Sequence, residues 1–421
     1  MERREEQAED GERIIQYKEE DSICKLLEVE LIPLDLIHDI VLRLPAKSAV
    51  RFRCVSKLWA FIITRPDFIT SFAFMSSSRL RLLVCIKTSD KRRLFVSLPQ
   101  HEHPHTSYSD VERYQMDPPE FDTGNYEPYS ESVHGLICCG NFMGETVVWN
   151  PSMRQHVTLP EPAEFRFKSY FLGYDPVEDK YKVFCITSSS NNDPIVFTLG
   201  PQESWRVIKN SPKHYTPRWP MGHRGVCING HAYYEASICF EVDAITQWEV
   251  VLVSFDVRYE KFRIIRKPDD PKLCPLLLNY QGKLAWVCED RDEKKLVSSL
   301  RFWILEDEEK QEWSLRDYLM PFQICPRRDP IWRVYLSLDG VTQDTGEFIY
   351  STARFEAIYV IYYDPKTNLT RRVLYEGVEY EEYEEYSGSE TFEVHLYPNH
   401  SESLMSLENV PRYVSPINWN Q

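Results

Sequence analysis

Hydrophobic residues recur at helical spacing near the N-terminus. The apolar positions of the first such series are Leu36, Ile37, Ile40, Val41 and Leu44. This spacing predicts an amphipathic helix with one broad apolar face. Pro33 lies where that helix would begin, a position at which a missing N–H has no cost, and Pro45 would end it.

Two further short helices are predicted after Pro45. Ser48 is a suitable cap for the second, and a third apolar series runs from Val55 through Trp59 before Pro66 ends it. A three-helix segment of about 40 residues is too small to bury all of its own apolar surface. We therefore expect a partner protein to cover part of it. The alternative is that the segment is a helical cap on the larger domain.

From residue 80 onward the pattern changes to strand-like runs rich in β-branched and aromatic residues. Hairpins in which an aromatic residue precedes a turn opened by Asp or Asn recur at 147–159, 171–184, 253–265 and 360–374, with a looser copy at 302–314. A second hairpin type places a glycine where a positive φ is needed, at Gly135, Gly230, Gly282 and Gly346.

Two hairpins in about 50 residues are the repeat of a β-propeller blade. Five such units cover 133–375, and we expect the strands at 80–98 and 391–397 to pair and close a sixth. The predicted fold class is mainly β with a small N-terminal α module: three helices followed by a propeller-like domain of about six blades. A two-sheet sandwich is the alternative. The predicted segments are an acidic, disordered tail (1–30), the helical module (31–69), a linker (70–79), the β domain (80–400) and a C-terminal tail (401–421).

Composition narrows the function classes. The chain has 421 residues, of which 43% are hydrophobic and 13% aromatic, so it is not globally disordered, and no apolar run is long enough for a membrane span. The net charge is −16. Residues 1–30 hold 11 acids and 5 bases, and 376–385 hold 6 acids and no base, so together they account for −12. The rest offers no basic footprint for nucleic acid or membrane, and without a targeting signal we expect cytoplasm or nucleus.

Candidate chemistry is sparse. His101, His103 and His105 occupy every second position, which would place three imidazoles on one side of a strand as a metal site requires. No carboxylate lies at a spacing typical of metal ligands, so we interpret them as solvated loop histidines. The P-loop, HExxH, GxSxG and GxGxxG motifs are absent from the sequence, and the eleven cysteines form no CxxC pair. We predict no cofactor, no metal, reduced thiols and no catalytic residues.

The helical segment resembles the F-box. The matching positions are Pro33, Asp35, Leu36, Ile37, Ile40, Leu44, Pro45, Lys47, Ser48, Arg51, Val55, Lys57 and Trp59. Departures from the family pattern are Ile32, Ser56 and Ala49. The small Ala49 matters most, because each methylene lost from a docking surface weakens binding by roughly 0.8 kcal/mol.

The segments HGLICC, WNPSMRQHVTLP, FLGYDPVEDKYKVF and DPKTN resemble the F-box-associated domain of a large plant family. The resemblance implies a non-catalytic substrate receptor of an SCF (cullin-RING) ubiquitin ligase, which docks on a Skp-type adaptor and binds a target protein through the β domain. The implied adaptor-binding residues are Pro33, Leu34, Leu36, Ile37, Ile40, Leu44, Pro45, Val50, Val55 and Trp59. Residues that bind the target are not indicated. The alternatives are a propeller enzyme or carbohydrate-binding module with a helical cap, or an F-box scaffold acting outside the ligase.

Overall fold

The fold was analysed in a computed structural model. It describes residues 33–87, 93–100, 112–116, 127–128, 131–140, 145–161, 168–187, 193–216, 225–242, 245–268, 276–292, 297–320, 336–352, 358–375 and 394–412. The predicted acidic tail (1–30), the three loop histidines and the acidic run at 376–385 lie outside these residues. The chain divides into two compact units, Met1–Arg79 with Glu402–Met405, and Leu80–Ser401 with Ser406–Gln421.

The described part of the first unit is helical. It contains α1 (Leu34–Leu42), α2 (Ala46–Phe52), α3 (Lys57–Thr64) and α4 (Pro66–Ser77). The prediction of three helices was one too few. Pro66 ends nothing: it is the first residue of α4, a position that tolerates proline.

The linker predicted at 70–79 was also wrong, because α4 continues to Ser77. Phe68, Phe72 and Ser76 are buried at i, i+4 and i+8, so this helix has an apolar face of its own. Ser48 does not cap the second helix. It lies inside α2, where its N–H donates to the carbonyl oxygen of Pro45.

The second unit is a six-bladed β-propeller, as predicted. Each blade is a four-stranded antiparallel sheet. The first blade contains β1 (Arg81–Lys87), β2 (Arg93–Pro99), β3 (Glu112–Met116) and β24 (Val394–His400); the second β4 (Glu127–Pro128), β5 (Ile137–Gly140), β6 (Thr146–Asn150) and β7 (Gln155–Thr158); the third β8 (Lys168–Asp175), β9 (Lys180–Thr187), β10 (Ile195–Thr198) and β11 (Arg206–Val207). The fourth contains β12 (Val226–Ile228), β13 (His231–Val242), β14 (Ile245–Asp256) and β15 (Lys261–Ile265); the fifth β16 (Leu276–Tyr280), β17 (Lys283–Asp292), β18 (Val297–Asp307) and β19 (Glu312–Met320); the sixth β20 (Leu336–Val341), β21 (Phe348–Thr352), β22 (Ile358–Asp364) and β23 (Leu369–Tyr375).

The expected closure of the ring is confirmed. The last strand, β24, pairs with β1 in an antiparallel register that places Val84 opposite Leu396. The first blade is thus built from both ends of the propeller sequence, which removes the edge that a linear array of sheets would leave open.

Local turn chemistry explains the repeat. All four predicted glycines adopt positive φ, between 80° and 87°, which a side chain would disfavour. In the hairpins with a turn opened by Asp or Asn, the side chain closes the turn: Oδ1 of Asp256 accepts from the backbone N–H groups of Arg258 and Tyr259 at 3.0 and 2.9 Å. Most of these turns join the last two strands of a blade, whereas the one at Asp175 joins the first two strands of the third blade.

The described hydrophobic core lies mainly between neighbouring blades. One cluster joins the third and fourth blades through Phe184 and Phe255, whose ring centroids are 4.3 Å apart. Another joins the fifth and sixth through the stacked rings of Phe302 and Phe348. Each blade therefore depends on its neighbours for burial of its apolar faces.

Candidate functional site

The described part of the helical unit exposes a set of large apolar side chains. They are Leu34, Leu36, Ile40, Val55, Phe61 and Phe74. Single exposed apolar residues are ordinary on soluble proteins, but six within 41 consecutive positions form a candidate docking surface.

Helix α1 divides the predicted apolar stripe into a buried half and an exposed half. Ile37 and Val41 are fully buried. Leu36 and Ile40, one position earlier on the helix in each case, are 52% and 44% exposed. Because residues four apart lie one above the other, Leu36 and Ile40 form one continuous exposed ridge.

Contacts from α4 and its C-terminal flank hold α1 in this orientation. The ring of His38 packs edge-on against Phe68 with centroids 5.2 Å apart. The Arg79 guanidinium donates to the carbonyl oxygens of Leu42 and Arg43 at 3.0 and 2.6 Å, which satisfies acceptors at the C-terminal end of α1. The helix absent from the prediction therefore helps to fix the orientation of α1.

Helix α3 positions Trp59 by a local cap. The side-chain oxygen of Ser56 accepts from the Trp59 backbone N–H at 3.3 Å, as expected of a residue preceding the first turn. The indole stacks on Phe52 of α2 with centroids 4.7 Å apart and is nearly buried. Ser56, a departure from the family pattern, thus has a structural role here.

The structure sorts the ten predicted adaptor-binding residues by exposure. The exposed ones are Pro33, Leu34, Leu36, Ile40 and Val55; the half-buried ones are Leu44, Pro45 and Val50; the buried ones are Ile37 and Trp59. Ala49 is fully buried, so the methylenes it lacks are not missing from the exposed surface. The prediction omitted Phe61 and Phe74. Phe74 lies two residues from both Phe72 and Ser76, which places it opposite the buried side of α4.

A segment from the far end of the chain completes the helical unit. Oε2 of the buried Glu402 accepts from the backbone N–H of Ala46 at 3.1 Å, at the first residue of α2. The Glu402 N–H donates to Oγ of Ser76 at 2.6 Å. The prediction of a tail from 401 was therefore wrong for residues 402–404, which are buried, while 413–421 lie outside the described residues.

The described residues contain neither a membrane-spanning helix nor a metal-binding cluster. None of their helices is long and apolar enough to cross a membrane. They also contain no group of three or more His, Cys, Asp or Glu side chains arranged to hold a metal ion.

Comparison with known proteins identifies both units. The model of the F-box domain matches residues 30–71, and the model of the F-box associated β-propeller domain matches residues 81–401. This chain is a plant F-box protein. The second model alone spans most of the chain, and the first covers α1–α3 with the start of α4.

Arabidopsis thaliana encodes close relatives of this F-box protein. It is 54% identical over 424 residues to At4g21240, whose name provisionally assigns it to the F-box proteins, with 97% of this chain and 99% of that protein covered. The F-box protein At5g18160 is 37% identical over 352 residues, covering 82% and 83%. A chain in the solved nidogen/laminin complex aligns over 75% of this chain and 98% of its own length at 9% identity, with a TM-score of 0.38, which is too low to support an inference.

Proposed function

We propose that this F-box protein is the non-catalytic substrate-recognition subunit of an SCF ubiquitin ligase, acting in the cytoplasm or nucleus. Its helical unit docks on a Skp-type adaptor, and its propeller holds a target protein. The observation that carries the proposal is the exposed ridge of Leu36 and Ile40 within a segment that matches the F-box model. A partner that covers this ridge removes apolar area from water.

In this proposal the chain makes and breaks no bond. It raises the effective concentration of the target near activated ubiquitin, so that a bimolecular transfer becomes effectively intramolecular. Charge favours an acidic adaptor surface, because the segment 31–69 contains six Lys or Arg and three Asp. Ile37 and Trp59 act indirectly, since their burial orients the exposed residues.

The test is purification of the full-length chain from plant cells with the proteasome inhibited, beside a Leu36→Asp/Ile40→Asp variant. The proposal predicts that adaptor and cullin accompany the wild type and that both are lost from the variant, because two carboxylates cannot be buried in an apolar interface without a large cost. Recovery of adaptor without cullin would favour a scaffold outside the ligase. Equal recovery of both partners by the variant would overturn the proposed docking mode.

A further inference from the structure

One hairpin of the propeller extends well beyond the strands that flank it. In the fourth blade β13 and β14 pair along twelve residues each, from His231 opposite Asp256 to Val242 opposite Ile245. The outer strand β15 pairs only with Leu252–Asp256. In the described residues no strand pairs with 245–251 on that side, so this part of β14 forms an edge, the open edge, that no described strand covers.

The edge is open because the chain leaves the blade after Ile265. The Arg266 N–H donates to Oε1 of Gln311 at 3.2 Å, and its carbonyl oxygen accepts from the Trp313 indole at 3.2 Å, both in the fifth blade. The fifth blade shows the covered alternative. There β19 pairs with β18 from Asp307 as far as Ser298, so the corresponding edge has a strand along nearly its whole length.

The backbone groups of the open edge can be assigned from the pairing on the other side of the hairpin. Tyr215 and Ser237 exchange both backbone hydrogen bonds, at 2.8 and 2.7 Å, so the N–H and C=O of Ser237 point away from β14. Ser237 and its opposite residue Val250 are therefore a non-hydrogen-bonded pair. By alternation, the N–H and C=O groups of Thr246, Trp248 and Val250 point out of the open edge.

The same three residues lie on one face of the hairpin with Tyr215. Trp248 is 62% exposed, and its ring meets that of Tyr215 at 68° with centroids 5.3 Å apart. Val250 is exposed beside it. The opposite face is anchored by Ala236 and Val251, which are fully buried in the core between the third and fourth blades. The hairpin thus presents an aromatic platform on a supported element.

The charged side chains of the hairpin are all acidic. Residues 225–257 contain five Asp or Glu and no Lys or Arg. Glu241 and Glu249 belong to the distal part, and Glu241 lies opposite Thr246 on the face that carries Trp248. A segment with basic and apolar side chains in alternation complements this face, since a cation also binds favourably over an indole ring.

We propose that the distal β13–β14 hairpin is a target-docking element, which binds an extended basic and apolar segment of the target as an added strand. The incoming segment pairs with the outward backbone groups of Thr246, Trp248 and Val250, and it lays its side chains over Trp248 and beside Glu241. It takes the place that the end of β19 occupies in the fifth blade. The identification of the occupant as a target rests on the proposed ligase function.

The test measures binding of fluorescent ten-residue peptides to the full-length chain by anisotropy. One peptide alternates valine with lysine, and the other alternates valine with glutamate. The valine–lysine peptide should bind at least tenfold more tightly. Trp248→Ala should weaken it at least tenfold, and Val250→Pro, which removes one outward N–H but no bond to β13, about fivefold or more. Leu319→Ala, at a highly exposed residue of β19, is the matched control and should change nothing.

Several outcomes would overturn this inference. Equal affinity for the two peptides would show that the acidic charge of the hairpin does not select the ligand. Undiminished binding by Trp248→Ala would assign the binding to another part of the chain. Concentration-dependent dimers in sedimentation that disappear in Trp248→Ala would show that a second copy occupies the edge. When purified from cells, the Trp248→Ala variant should still carry adaptor and cullin. It should no longer carry the target proteins, which are those whose ubiquitination requires an intact Leu36/Ile40 ridge. A negative result in the peptide and Trp248→Ala experiments alone refutes the hairpin proposal and leaves the ligase proposal intact. A wild-type chain that binds no adaptor refutes the ligase proposal.

Discussion

The exposed ridge of α1 allows a quantitative prediction. Fully burying one leucine or isoleucine side chain contributes about 1.5–3 kcal/mol. Leu36 is 52% exposed and Ile40 is 44% exposed, so an adaptor that covers both removes from water about the area of one complete side chain. Leu36→Ala with Ile40→Ala should therefore cost about 1.5–3 kcal/mol of binding free energy, which raises Kd roughly 10- to 150-fold.

Isothermal titration calorimetry with a purified Skp-type adaptor measures this change. Leu369→Ala, a substitution of an exposed leucine at the start of β23, is the matched control and should leave Kd unchanged. Ile37→Ala should behave differently: it deletes a fully buried side chain and should lower the free energy of unfolding by about 2–5 kcal/mol. A double-alanine variant that binds within twofold of the wild type would refute the assignment of the ridge to docking.

Three further predictions concern stability. Glu402→Ala leaves the buried N–H of Ala46 without its acceptor and should speed amide exchange in α2 roughly 5- to 150-fold by mass spectrometry; unchanged exchange would contradict this cap. Burial, followed by the charge of Arg81, lowers the pKa of His400 to about 3. Below about pH 6.5 the unfolded chain therefore binds one proton more than the folded chain, so the free energy of unfolding decreases as the pH is lowered. In urea denaturation, His400→Gln should remove roughly 2 kcal/mol of the decrease between pH 7 and pH 5. Leu396→Ala, in the strand that closes the ring, should lower the propeller's unfolding free energy by about 2–5 kcal/mol in the same assay, and a change below 1 kcal/mol would count against closure.

Turn chemistry made the propeller predictable. A glycine at a positive φ and an aspartate that accepts from the next backbone N–H groups are local requirements, so they are visible in a short stretch of sequence. The closing pair of β1 and β24 followed from a general rule about open edges rather than from any feature of its residues.

The division of the docking surface was not predictable in the same way. Ile37 and Ile40 are the same residue type on one helix, and packing against the other helices of the unit decides that the first is buried and the second exposed. The contact between Glu402 and Ala46 joins residues 356 positions apart, for which no local pattern exists. No local pattern marks Trp248 as a residue beside an open edge, because that edge depends on where Arg266 leaves the blade.

Hydrogen exchange of the full-length chain, with and without a purified Skp-type adaptor, shows whether the ridge of α1 is the docking surface. Docking through this ridge predicts that the adaptor slows amide exchange within residues 33–64, where the ridge and its supporting helices lie, and that Leu36→Asp/Ile40→Asp abolishes the effect. Unchanged exchange in this segment at saturating adaptor, or protection confined to the propeller, would contradict it.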